Sequence, residues 1–193
     1  MVNNIPDSFF KDNPIQPSGS AMLAYYMYTN EGLLERLKEE KEQRIHSGKD
    51  QEELEKTVVA LDETKEILRF MRKSMDGCNK LLLRDVVLAH EADVTDLIKK
   101  RIMTSRLDDF IDNTLDFFLR CEADPVPWLK ENIPEMKSPY ARAVMCVVLG
   151  FRGGEDELPF LFEQFDKLKN EPDEEAFEQG PLLSIFKICG KEI

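Results

Sequence analysis

Asp124-Pro125-Val126-Pro127-Trp128-Leu129-Lys130-Glu131-Asn132-Ile133 is one of three stretches that superpose at spacings of 31 and 32 residues. Its Asp124, Trp128, Leu129 and Ile133 match Asp93, Leu97, Ile98 and Ile102 upstream, and Asp156, Phe160, Leu161 and Phe165 downstream. Each set reads as an acidic helix start, an apolar pair, and an apolar residue one turn later. Each is followed by a second helix-like segment. A helix pair recurring at this period cannot bury its apolar face alone and has to stack on its neighbour. The fold class that follows is all-α.

The local signals place the pairs. In the first, a helix over 93–104 is followed by one over 107–121. In the second, Asp124 is an N-cap candidate with Pro125 at the first helical position, and Pro134 ends the helix. Ser138 and Pro139 repeat that start signal before Tyr140–Phe151. This segment is apolar nearly all round, so it is expected as the central buried helix, closed by Gly153-Gly154. In the third pair, Glu155, Asp156 and Glu157 open a helix over 155–169, where negative charge suits the macrodipole. After an acidic link, Gly180-Pro181 opens the last helix, Leu182–Cys189.

Upstream of the repeats, residues 1–19 hold Pro6, Pro14, Pro17 and Gly19 and read as an irregular arm, pinned to the body by Phe9 and Phe10. Residues 20–46 read as a long helix with Leu23, Tyr26, Met27, Leu33, Leu34 and Leu37 on one arc. Ser47-Gly48-Lys49-Asp50 stops it and starts a second helix over 50–75, with Leu54, Leu61, Leu68 and Met75 seven apart. Two helices joined by a short polar turn form an antiparallel hairpin over 20–77, broken by Asp76-Gly77. Leu81–His90 is an apolar-rich helix. The expected organisation is an arm (1–19), an N-terminal antiparallel helical hairpin (20–77), and about three helix pairs in a repeat domain (78–193).

The stretch Tyr140-Ala141-Arg142-Ala143, Leu149-Gly150, Gly153-Gly154, Leu158-Pro159 and Leu161 resembles the HEAT-like α-solenoid repeats. The resemblance spans roughly residues 93–190 and departs in the first pair, where Phe117-Phe118-Leu119-Arg120 stands in place of Leu-Gly. It implies an α-solenoid-like stack used for scaffolding and binding, with no shared chemistry.

Composition narrows the function. The formal net charge is −12, and half of that excess lies in residues 124–193. An acidic chain lacks the clustered Lys and Arg that phosphate contacts need, so direct nucleic-acid binding is not expected. No apolar run reaches the length of a membrane span. The opening, Met1 to Phe10, has neither the basic region nor the apolar stretch of a secretory leader. The expectation is therefore a cytoplasmic chain in which Cys78, Cys121, Cys146 and Cys189 are reduced, small buried hydrophobes.

No constellation carries chemistry. His90-Glu91 begins like a zinc metalloprotease helix, but the second histidine is due at position 94, which is Val94. His90 is read instead as a helix-end histidine facing carbonyls. Gly153-Gly154 is followed by no Lys-Ser or Lys-Thr and preceded by no strand, so it is not a phosphate loop. Asp109, Asp112 and Asp116 share one helix face, read as solvated opposite Phe110, Leu115, Phe117 and Phe118. Lys99-Lys100-Arg101 reads as surface. The chain is accordingly expected to be no enzyme, with no cofactor and no metal.

Tyr25 and Tyr28 stand apart. They point roughly 160° and 140° from the apolar arc of their helix at 100° per residue. Paired exposed tyrosines are typical of binding hot spots. The functional expectation is a non-catalytic protein-protein interaction module, with Tyr25 and Tyr28 contacting a protein partner. The alternative is an acidic inhibitor that mimics nucleic-acid charge and blocks a partner's basic cleft.

Overall fold

The computed structural model describes residues 5–16, 49–75, 77–171 and 176–192. Ten α-helices and no strands occur among them. They are α1 (Asp7–Asp12), α2 (Lys49–Val59), α3 (Thr64–Phe70), α4 (Gly77–Ala89), α5 (Glu91–Ile102), α6 (Asp108–Arg120), α7 (Val126–Asn132), α8 (Pro139–Arg152), α9 (Leu158–Lys169) and α10 (Gln179–Ile188). Short 3-10 turns at Ile133–Glu135 and Glu155–Glu157 follow α7 and precede α9. None of these helices is long and apolar enough to cross a membrane.

The helix starts follow from their residues. Ser138 Oγ accepts the Ala141 N–H at 3.2 Å, with Pro139 in the first turn of α8. Asp124 Oδ1 accepts the Val126 N–H at 3.0 Å, but the helix begins one residue later than read: Pro125, not Asp124, is the N-cap of α7. The helix read over 155–169 differs from its reading. Pro159 lacks an N–H and belongs in the first turn of a helix. Regular α-helix therefore begins at Leu158, and Glu155–Glu157 form a 3-10 turn before it.

Two expectations upstream need correction. The segment read as one helix over 50–75 breaks at residues 60–63 into α2 and α3. The cause is the core. Val58 and Ile67 are both fully buried. In an unbroken helix, nine residues at 100° each would set them about 180° apart, so only one could face inward. The seven-residue spacing of Leu54, Leu61, Leu68 and Met75 survives only as four half-buried side chains against the core. The segment read as irregular at the N-terminus holds α1, and its Phe9 and Phe10 do anchor it. The first helix of the expected hairpin, 20–46, with Tyr25 and Tyr28, lies outside the described residues.

α8 sits at the centre. Ala141 and every residue from Ala143 to Gly150 are buried in it, and it packs against α6, α7, α9 and α10. Its neighbours run the same way along the chain. Asp112 of α6 accepts the Tyr140 hydroxyl near the start of α8. Arg152 at the end of α8 donates to the Leu119 and Cys121 carbonyls at the end of α6, at 3.3 and 2.8 Å. Ala143 lies against Gly180, and Gly150 against Ser184. Hence α6, α8 and α10 are parallel neighbours in one row. In a second row, the Glu91 carboxylate at the start of α5 accepts the Glu122 and Ala123 N–H groups just before α7. Beyond its far end, Met103 O accepts the Lys137 N–H. α5 and α7 are thus parallel as well.

The contact between α8 and α10 is unusually close. A Cβ on Gly180 would lie 2.1 Å from Ala143 O, and one on Gly150 would lie 2.6 Å from Ser184 Cβ. Ser184 Oγ donates to Cys146 O at 2.8 Å across the same seam. Two glycines and a serine thus bring the helix backbones together, and a hydroxyl–carbonyl hydrogen bond fixes their register.

Among the described residues, one buried amide is unsatisfied at both of its polar atoms. Gln164 in α9 is fully buried, and neither atom of its amide has a hydrogen-bond partner. Leaving such a group unpaired costs about 1–3 kcal/mol. Gln164→Met keeps the side-chain length and removes the polar atoms. It should raise stability by about 1 kcal/mol, a melting-temperature gain of roughly 2–4 °C for a chain of this size. Thermal unfolding followed by circular dichroism checks this, and a lowered midpoint would contradict it.

Candidate functional site

The acidic face of α6 is not the solvated stripe expected. Asp109, Asp112 and Asp116 are half-buried, and each is engaged. Lys80 Nζ lies 3.6 Å from Asp109 Oδ1, Tyr140 donates to Asp112, and Arg120 Nε is 3.1 Å from Asp116 Oδ1. Burial raises the Asp112 carboxyl above its usual range, against the Tyr140 hydrogen bond and the Lys80 charge, which lower it. The reason for the difference is the stacking itself. The face that a lone helix would leave to water is covered here by α4 and α8.

His90 and Glu91 are structural. His90 Nε2 lies 3.7 Å from the Asp62 carboxylate, not at helix-end carbonyls, and Glu91 holds the two backbone amides before α7. Among the described residues no group of three or more His, Cys, Asp or Glu could hold a metal ion. Cys146 is fully buried, and burial pushes its thiol far above the ordinary range. Cys121 is buried and donates to Ala123 O at 3.2 Å. Cys146 is a packed side chain, and Cys121 is both packed and a hydrogen-bond donor. Of the basic triplet, Lys99 stacks over Trp128 and Arg101 over Phe110.

An open cleft of about 520 Å³ is lined by Leu88, Ala89, Glu91, Ala92, Arg120 and Glu122. Two of its three charged side chains are committed: Glu91 to backbone amides and Arg120 to Asp116.

The most developed surface feature lies on α9 and α10. Their aromatic side chains Phe162, Phe165 and Phe186 form a shallow groove that α1 fills. The Phe9 ring meets Phe162 and Phe165 edge-on, with centroids 5.1 and 5.7 Å away. Phe10 meets Phe186 at 5.0 Å. Polar ties flank the rings. Lys191 Nζ is 2.8 Å from Asp7 Oδ1 and lies over the Phe10 ring. Lys169 Nζ donates to Asn13 Oδ1 at 3.1 Å and lies over Phe165. The Gln16 N–H donates to Gln179 Oε1 at 2.8 Å. The Lys191 ammonium holds the exposed Asp7 carboxyl below its usual range. Sequence reading anticipated the anchoring phenylalanines but not where they dock. The signal available was the run of aromatics Phe160, Phe162 and Phe165 in a single helix.

Sequence reading also missed the Arg152 clamp on the end of α6. Arg120 and Arg152 are 32 residues apart, the repeat offset, so that signal was present. Tyr25 and Tyr28 lie outside the described residues. Compared with known proteins, the chain matches no family model, no curated protein and no solved structure.

Proposed function

We propose that this chain is a non-catalytic protein-protein interaction module of the HEAT-like type. The observation that carries the reading is the order of the packed helices. α6, α8 and α10 form one parallel row, and α5 and α7 run parallel to each other, with cross-contacts about one repeat apart in sequence. Rows of this kind present an extended ridged face, the usual asset of a solenoid in binding. A cytoplasmic setting belongs to the same proposal, since buried Cys121 and Cys146 act here as packing groups. The charge-mimic alternative needs a stripe of uncommitted carboxylates. It draws no support from α6, whose Asp109, Asp112 and Asp116 are bound to neighbouring side chains.

On this proposal Tyr25 and Tyr28 form the contact with the partner. A tyrosine at an interface centre is worth ~2 kcal/mol or more, about thirtyfold in affinity. Tyr25→Ala with Tyr28→Ala should weaken capture of the partner to that extent and leave the melting curve unchanged. The check is affinity capture by the wild-type and doubly substituted chains at low and high salt. Undiminished capture by the double variant removes the tyrosines from the interface. Binding that collapses with salt favours the acidic inhibitor.

A further inference from the structure

The α9–α10 groove has the features of a peptide-docking site, and its present occupant is poorly held. α1 has six residues, well short of the ~12–15 that an isolated helix needs for marginal stability. None of its residues is fully buried, and Phe9 and Phe10 are only half-buried. By contrast, the Phe186 it covers belongs to a helix in which eight of ten residues are buried. The groove is therefore part of the firm core, while its cover is held only by partly buried side chains: Ile5, Phe9, Phe10 and Ile15 on the core, the two lysine–ring contacts and three polar ties. Segments with few buried contacts open long before the whole fold does.

The polar ties say what fits. A lysine stands at each end of the aromatic groove: Lys191 beside Asp7, and Lys169 beside Asn13. Deepening the binding-module reading, on which this rests, we propose that the groove binds a short helical segment of a protein partner. That segment carries two consecutive aromatic residues, an acidic residue two positions before the first, and an acidic or amide residue four positions after it. Residues 5–16 fill this groove in cis and block it until they lift away. Recognition is helix-in-groove: aromatic anchors give the affinity, and the two lysines set direction. The partner's advantage over the internal segment is charge. An acidic residue in the place of Asn13 would give Lys169 the ion pair that the amide cannot.

The test uses the full chain carrying Phe9→Ala and Phe10→Ala, which empties the groove, and a fluorescent peptide with the sequence of residues 5–16. Anisotropy should show the variant binding the peptide at least tenfold tighter than the wild-type chain, whose own segment competes. Asn13→Asp in the peptide should tighten binding several-fold, an effect lost at high salt, and a peptide with both phenylalanines changed to alanine should not bind. Equal binding to both chains, or none to either, overturns the proposal. So does concentration-dependent dimerisation of the wild-type chain that the variant lacks, since a second copy is then the occupant. If the variant does not fold, hydrogen exchange on the wild-type chain decides. The Phe9 and Asn13 amides should exchange at least a hundredfold faster than those of Leu182 and Cys189, and equal protection would make α1 a fixed part of the core. Because the peptide is the chain's own segment, its result is independent of whether Tyr25 and Tyr28 contact a partner.

Discussion

Gly180→Val should leave the chain without a stable C-terminal half, and Gly180→Ala should already destabilise it by several kcal/mol. A Cβ at this position would lie 2.1 Å from Ala143 O and 2.5 Å from Ala143 C. These are backbone atoms in the middle of the buried face of α8, so no side chain can swing aside. α10 would have to move away from α8 as a body, opening the seam that Ser184 closes with its hydrogen bond to Cys146 O. Overpacking of a core costs about 1–3 kcal/mol where neighbours can adjust, and more where they cannot. Against a total stability of ~5–15 kcal/mol this is a large fraction. Gly154→Ala is the control: a Cβ there meets nothing within 4 Å, so its effect should stay within about 0.5 kcal/mol. Urea unfolding of the three proteins measures the difference. Equal midpoints for Gly180→Ala and wild type would mean that α8 and α10 are not in close contact.

Val148→Asp should be at least as damaging. Val148 is fully exposed to neighbours and not to water, at 0 % accessibility, within a helix packed against four others. None of the residues of its own buried run, Ala143 to Gly150, is charged, so a carboxylate there finds no cation among them. Burying it unpaired costs several kcal/mol even after its pKa rises to keep it neutral. That pKa rise sets the pH dependence. A folded-state pKa above the unfolded one makes the loss smallest at acid pH and largest once pH exceeds the folded value. The expected result is an unfolded C-terminal half at neutral pH. Soluble protein with an unchanged melting curve would place α8 on the surface.

What could be read in the sequence depended on whether the deciding contacts were local. The Ser138 cap, the proline in the first turn of α8 and the stop at Gly153 are local, and the structure places them as read. The burial of α8 was legible because its apolar residues leave no polar face. The break at 60–63 was not, because leucines spaced by seven residues suit a continuous helix. Only the position of the core, which demands both Val58 and Ile67, decides against it. The pairing of Asp109 and Asp112 was hidden for the same reason: their partners Lys80 and Tyr140 lie about one repeat away in sequence, whereas Asp116 pairs locally with Arg120. Gly180 read only as a helix opener, since its close approach depends on which helix lies opposite. The docking of Phe9 and Phe10 was half legible. Two adjacent aromatics in a polar segment call for a surface to cover, but nothing local identifies α9 and α10 as that surface.

The central structural claim is that α6 and α8 pack side by side in parallel. Distances between spin labels test it most directly. Asp108 at the start of α6, Glu122 just past its end, and Lys137 just before α8 are all exposed. Each can be replaced by cysteine and labelled in a chain with Cys78 and Cys189 changed to serine. α6 has 13 residues and is therefore about 20 Å long. Parallel packing predicts that the 108–137 pair is the closer one and the 122–137 pair the more distant, by roughly 10 Å or more. The reverse order, with 122 close to 137 and 108 far from it, would make α6 and α8 antiparallel and contradict the repeat stack on which the binding-module reading rests.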